Sequence, residues 1–197
     1  EGNFASADEI LEKLKLDLTQ PIVLFTQHSV TTEFENASDQ LKPSVEAMRE
    51  LAKQGVQIVM TYPNNDAGGR AIISRLTELQ DESVPGIQVH RSLGRYLYHG
   101  VLGLAKNHEF KVACVGNSSS GIKETPVFGC PTVNIGTRQQ GRLRGENVID
   151  ADYDVESIVN SVNSCLHDDA FRKTCRETSN PYYMGDAGKK IAAILAE

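Results

Sequence analysis

Short β-rich apolar runs and helical segments take strict turns along this 197-residue chain, and that alternation restricts the fold more than any other feature of the sequence. Ile22 to Thr26 after Pro21, Gln57 to Tyr62 before Pro63, Ile87 to His90, Lys111 to Val115 and Thr132 to Ile135 read as strands. Between them Ser44 to Gln54 (closed by Gly55), Arg70 to Leu79, Tyr96 to Lys106 and a short segment around Glu124 read as helices. Parallel strands need long crossovers, which these helices supply, so the alternation predicts an α/β unit with a parallel sheet covered on both faces. Glu146 to Ile149 reads as a last short strand. Val155 to Leu166, Phe171 to Arg176 and Lys189 to Ala196 are then expected as terminal helices packing back on the sheet. No internal repeat, low-complexity tract or long linker interrupts the chain, so residues 1–197 are expected to form one domain.

Composition narrows the partners. A net charge of -6 argues against a broad nucleic-acid surface, which needs Lys and Arg spread over one face. Cys114, Cys130, Cys165 and Cys175 are too widely spaced for a CxxC motif, and no other metal-ligand cluster stands out, so reduced thiols and no metal are expected. No basic-then-apolar signal segment and no apolar run of spanning length is present, so the expectation is a cytoplasmic protein without membrane contact. Residue 1 is Glu rather than Met, consistent with a piece of a longer chain.

In open parallel sheets ligands bind beyond the carboxyl ends of the strands, so the chemistry is sought in the loops there. After the first strand comes Gln27-His28-Ser29-Val30-Thr31-Thr32-Glu33. His28 suits general acid/base work or phosphate donation, although a strand-end histidine before a helix-capping segment explains it more simply. After the second comes Pro63-Asn64-Asn65-Asp66-Ala67-Gly68, dense in turn formers; Asn64 and Asp66 can hydrogen-bond sugar or pyrophosphate, or simply make the turn.

The stretch from Gly116 to Glu124, Gly-Asn-Ser-Ser-Ser-Gly-Ile-Lys-Glu, reads as a small-residue loop entering a helix, where free backbone N–H groups accept phosphate. Ser118, Ser119 and Gly121 leave the approach open. The Gly116 to Gly121 spacing also suits a P-loop, but Ile122 and Lys123 stand where Lys and Ser/Thr are required, which excludes that reading. Glu124, about one turn into the expected helix, is placed to accept from vicinal ribose hydroxyls or merely to complement the helix dipole. Finally Gly136 to Gly145 carries Arg138, Arg142 and Arg144 among three glycines in a net acidic chain, and reads as a phosphate-binding segment, with a solvent-exposed flexible loop as the alternative.

At these loops the sequence resembles the UDP-N-acetylglucosamine 2-epimerase family, in particular its hydrolysing branch. The matching stretches are residues 27–33, 63–68 and 116–124, Gly129-Cys130-Pro131-Thr132-Val133-Asn134-Ile135 through Arg142, Gly145-Glu146-Asn147-Val148 and Gly185-Asp186-Ala187-Gly188. The resemblance implies one half of a GT-B fold: the C-terminal, Rossmann-like, UDP-binding domain, without the N-terminal domain of the parent enzyme. It implies that Ser118, Ser119 and Gly121 hold the diphosphate with Asn64 close by. Glu124 then holds the ribose, Arg138 assists phosphate binding, His28 lies near the reacting sugar and Tyr96 is a candidate uracil contact. As partners it implies UDP and UDP-N-acetylglucosamine or a related UDP-amino sugar, with no cofactor and a homo-oligomeric full-length protein. The implied reaction removes the C2 proton with anti elimination of UDP, then adds water to release a free 2-epimer for sialic-acid-type sugar synthesis. Residues 28–33 lack the His-Arg-x-Glu-Asn pattern of the non-hydrolysing enzymes, which favours the hydrolysing branch. A non-hydrolysing epimerase, a GT-B glycosyltransferase and a nucleotide-sensing module remain alternatives.

Overall fold

In the computed structural model, which describes residues 3–183 and 185–196, six parallel strands form one sheet. The strands are β1 (Ile22–Thr26), β2 (Gln57–Thr61), β3 (Ile87–His90), β4 (Val112–Gly116), β5 (Thr132–Ile135) and β6 (Val148–Ala151). Their order across the sheet is β3-β2-β1-β4-β5-β6. The helices are α1 (Ala7–Leu14), α2 (Ala37–Lys53), α3 (Gly69–Asp81), α4 (Gly94–Gly103), α5 (Ser120–Lys123), α6 (Thr125–Phe128), α7 (Val155–His167), α8 (Asp169–Glu177) and α9 (Ala187–Leu195). The expected α/β fold therefore holds, and the strand order is that of a Rossmann-like doubly wound sheet.

Successive strand residues point to opposite faces, and both faces are buried. Val23, Phe25, Ile58, Met60 and Val115 pack beneath the apolar stripes of α2, α3 and α7. Ile22, Leu24, Val59, Val112 and Cys114 pack on the other face with residues of α1, α4 and α6. The central strands consequently read as continuous apolar runs rather than alternating ones.

The departures from expectation have local causes. Helix α1 was not anticipated, although Ser6 and Glu9 carry its signature: the Ser6 hydroxyl accepts the Glu9 N–H while the Glu9 carboxylate accepts the Ser6 N–H. Helix α2 begins at Ala37 and runs through Pro43, because Ala37, Leu41, Val45 and Met48 form one buried stripe whose packing outweighs the missing hydrogen bond. The helix expected around Glu124 is two single turns. Pro126 has no N–H to offer the Ile122 carbonyl, and the chain breaks at Glu124 (φ -105°, ψ -42°). Helix α7 packs back on the sheet as expected, whereas α8 packs on α7 and α6, and α9 buries no residue, with Ile191, Ile194 and Leu195 on it exposed.

The sheet order reverses between β1 and β4, which opens a crevice at their carboxyl ends. Gly116 ends β4 at φ +127°, opposite Thr26, where an added Cβ would stand 2.0 Å from the Thr26 carbonyl oxygen. Only glycine fits there. Gly116→Ala is expected to destabilise the fold by about 3 kcal/mol, the combined scale of backbone strain and a core clash. Urea denaturation checks this: the midpoint falls while the slope is unchanged.

Candidate functional site

The crevice collects the loops that follow β1, β2, β4 and β5, and the buried side chain of Asn117 ties three of them together. Its Oδ1 accepts the His28 N–H at 2.7 Å, and its Nδ2 donates to the His28 carbonyl at 2.8 Å. Its own carbonyl accepts from Arg138 Nη1 at 3.1 Å and from Gln139 Nε2 at 2.7 Å. One residue of the β4 loop thus sets the positions of His28 after β1 and Arg138 after β5. Gly136, at φ +69°, turns the chain out of β5 over the ring of Tyr153, where an added Cβ would lie 2.2 Å from Cζ. Asn117 was not singled out in the sequence; the signal available was its place between a buried glycine and three serines.

The β2 loop joins through His28. The Asn64 N–H donates to His28 Nδ1 at 2.9 Å, so the proton of the neutral ring sits on Nε2. Partial burial, reinforced by the nearby Arg138 guanidinium, pushes the His28 pKa down to about 4 from its ordinary 6.5. Near neutral pH His28 is therefore an uncharged hydrogen-bond donor through Nε2. The Asn64 amide donates to Asp66 Oδ2 at 2.6 Å, and the same carboxylate oxygen lies 3.8 Å from Arg138 Nη2.

Among the described residues the backbone N–H groups of Ser118 and Ser119 find no acceptor, while the Ser120 N–H donates to Ser118 Oγ at 3.3 Å. Two open amides, a guanidinium and a neutral imidazole N–H thus stand on loops that Asn117 ties together, groups of a kind that suits an anion. Helix α5 is a single turn, so the amides themselves, rather than the accumulated dipole of a long helix, supply its polarity.

A cavity of about 280 Å³ lies between the ends of β2 and β3 and the start of α4, lined by Thr61, Tyr62, residues 91–95, Tyr98, His99 and Glu124. Glu124 Oε2 accepts from Ser120 Oγ at 2.8 Å and lies 3.0 Å from His99 Nε2. Glu124 thus stands at the break between α5 and α6 rather than inside a helix.

Other expected residues lie elsewhere. The Tyr96 hydroxyl donates to Glu9 of α1 at 2.9 Å and its ring sits under Lys13, so Tyr96 faces α1 while Tyr98 and His99 face the cavity. Gly121 is buried in α5, where an added Cβ would meet Thr132 Cγ2 at 3.0 Å; close packing on β5 accounts for it. The three arginines do not form one cluster. Arg138 turns inward, Arg144 pairs with Asp150, and Arg142 is exposed. All four cysteines are free and buried, and burial raises each thiol's pKa, which makes them poor nucleophiles. Among the described residues no group of His, Cys, Asp or Glu is arranged to hold a metal, and no helix is long and apolar enough to cross a membrane.

The family model described as UDP-N-acetylglucosamine 2-epimerase matches residues 3–196. Among curated proteins, the GDP/UDP-N,N'-diacetylbacillosamine 2-epimerase (hydrolyzing) of Campylobacter jejuni is 31% identical over 150 residues, covering 76% of this chain and 37% of that protein. The UDP-N,N'-diacetylbacillosamine 2-epimerase (hydrolyzing) of Legionella pneumophila is 28% identical over 191 residues, 97% of this chain and 46% of that protein. Among solved structures, the UDP-GlcNAc 2-epimerase of Neisseria meningitidis bound to UDP-GlcNAc superposes with a TM-score of 0.71 at 18% identity, covering 96% of this chain and 48% of that one, a likeness of fold. The chain spans less than half the length of the relatives it matches.

Two outcomes follow from the geometry. Between pH 6.5 and about 4 the unfolded chain protonates at His28 while the folded one does not, so stability falls as pH drops through that window. Denaturation midpoints measured across it decline in the parent and less steeply in His28→Asn, where His90 and His167, whose pKa values are also lowered by burial, still contribute. Asn117→Asp removes the donor to the His28 carbonyl and sets a carboxylate against it, which is expected to cost about 2 kcal/mol or more in the same assay.

Proposed function

The chain belongs to the UDP-N-acetylglucosamine 2-epimerase family, and we propose that it is the UDP-binding half of a hydrolysing member. The observation that carries this reading is the Asn117 tie, which holds the loops bearing the open Ser118 and Ser119 amides, Arg138 and neutral His28 to one another; on this reading those donors receive the diphosphate. On this reading residues 1–197 are the C-terminal domain, and the carboxylates that abstract the C2 proton come from an N-terminal domain in the remainder of the protein.

The division of labour follows from where charge develops. As the C2 proton leaves, the C1–O bond breaks and its electron pair passes to the diphosphate, so the largest new negative charge appears on UDP. Fixed donors aimed at that group lower the barrier because they need no reorganisation when the charge arrives. The serine amides and Arg138 take the diphosphate, with Asn64 holding His28 by its Nδ1. Neutral His28 donates toward the departing oxygen without an ion of its own to be solvated. Glu124 accepts from the ribose hydroxyls, and residues 91–95, which line the cavity beside it, receive the uracil. Water then adds across the C1–C2 double bond of the glycal, hydroxyl at C1 and proton at C2, which yields the free 2-epimer.

Support for the hydrolysing outcome comes from the loop at 28–33, which lacks the pattern of the non-hydrolysing enzymes, and from relatives named as hydrolysing. A UDP-linked N-acetylated amino sugar is the substrate class, its product serving sialic-acid-type sugar synthesis, and the full-length protein acts as a cytoplasmic homo-oligomer.

The test is incubation of the full-length protein with UDP-N-acetylglucosamine and its 4-amino-4,6-dideoxy relatives in deuterated water, with NMR of the products. Free 2-epimer carrying deuterium at C2, together with UDP, is expected. Retained protium with transfer to an acceptor would identify a glycosyltransferase, and tight binding without turnover a sensing module. The isolated 197-residue chain is expected to bind UDP without turning substrate over. Calorimetry should show Arg138→Ala weakening that binding about tenfold, the scale of one charge-assisted hydrogen bond; epimerase activity of the isolated chain would overturn the assignment of the proton-abstracting groups to another domain.

A further inference from the structure

Glu124 is held through one of its two oxygens. The Ser120 hydroxyl donates to Oε2 at 2.8 Å, and His99 Nε2 stands 3.0 Å from the same atom. A carboxylate only accepts, so His99 must donate there, which places its ring proton on Nε2. Among the described residues Oε1 has no partner, and Glu124 lines the cavity with a side chain 44% exposed. His99 itself is fixed. It projects from α4, whose next residues Gly100, Val101 and Leu102 are buried, and its ring packs at 5.3 Å against that of Phe128.

A glutamate beyond the end of a single helical turn has three side-chain torsions to freeze before its carboxylate offers a defined acceptor. Ser120 reaches it from one turn earlier on the same element. His99 reaches it from a separate helix packed on the sheet, and so fixes the carboxylate relative to the cavity rather than only relative to its own backbone. Occupation of Oε2 by both donors leaves Oε1 as the oxygen with free lone pairs.

We propose that His99 is a positioning residue for nucleotide selection: together with Ser120 it clamps Glu124 through Oε2 so that Oε1 receives the ribose hydroxyls, and it thereby tunes the preference for ribose-bearing ligands. The inference rests on the reading of Glu124 as the ribose acceptor. Charge repulsion or base contacts play no part in it, so its signature is confined to ligands that carry the hydroxyls.

The experiment titrates the chain with UDP and with 2',3'-dideoxy-UDP, following binding by NMR, in the parent and in His99→Phe, His99→Gln and Ser120→Ala. His99→Phe keeps an aromatic ring against Phe128 and removes the donor, while the amide of Gln restores a donor at the reach of Nε2. His99→Phe is expected to weaken UDP three- to tenfold and leave the dideoxy ligand unchanged, His99→Gln to recover most of the loss, and Ser120→Ala to act in the same direction as His99→Phe. Equal weakening of both ligands by His99→Phe, or no weakening of either, overturns the proposal while the parent still prefers UDP. Should His99→Phe fail to fold, Ser120→Ala and His99→Gln carry the comparison: UDP selectivity lowered by the first and kept by the second supports the clamp, and selectivity untouched by Ser120→Ala overturns it. A parent chain that binds the two ligands equally overturns the ribose reading of Glu124 and the proposal with it.

Discussion

Asn117 is the residue on which the geometry of the crevice depends. Its side chain makes a two-way hydrogen-bonded pair with the backbone of His28, and its carbonyl anchors both Arg138 and Gln139. Loops that follow different strands have no intrinsic reason to keep a fixed spacing, since each is free to hinge at its own strand end. A buried amide that uses its donor and its acceptor on one loop and its backbone on another removes that freedom at a cost only a well-packed sheet can meet. With Asn117 in place, the open amides of Ser118 and Ser119, the guanidinium of Arg138 and the imidazole of His28 share one reference frame.

A second polar knot fixes the far side of the same loop. The Thr125 hydroxyl donates to the Gly121 carbonyl at 2.6 Å and accepts from Thr132 Oγ1 and from Asn147 Nδ2, both at 3.0 Å, so its hydrogen-bonding capacity is filled. Asn147 Nδ2 also reaches the Cys130 carbonyl at 2.8 Å. These contacts pin the two single turns α5 and α6 to β5 and to the start of β6, and so explain why a helix too short to be stable alone holds its shape. Within the Gly145-Glu146-Asn147-Val148 stretch it is Asn147 that is buried and supplies this support.

Electrostatically the site is local and economical. The chain is net acidic, and of the arginines that follow β5 only Arg138 turns into the crevice, half-screened by Asp66. A protonated histidine next to that guanidinium would be costly to keep buried, and burial together with the Arg138 charge keeps His28 neutral while the Asn64 N–H on Nδ1 fixes its tautomer. The carboxylate of Glu124, at the end of α5, meets His99 and lines the cavity.

How much was legible beforehand varies residue by residue. Strands β1, β3 and β5 fall at their expected bounds because period and composition act locally, and the doubly wound class follows from strand–helix alternation alone. Helix α1 is legible too, in the Ser6 and Glu9 capping box. The early start of α2 was not, because the burial that carries it past Pro43 is supplied by the sheet beneath it. The same division runs through the site. Sequence alone determined which loops carry polar and small residues, and that Gly116, Ser118, Ser119, Glu124 and Arg138 belong near one crevice. Only the tertiary structure decided that Asn117 is the tie, that Arg144 pairs with Asp150, that Tyr96 faces α1 and that His99 meets Glu124. Those outcomes depend on which elements lie side by side in the sheet, and contacts between residues far apart in the chain leave no periodic mark in the sequence that makes them.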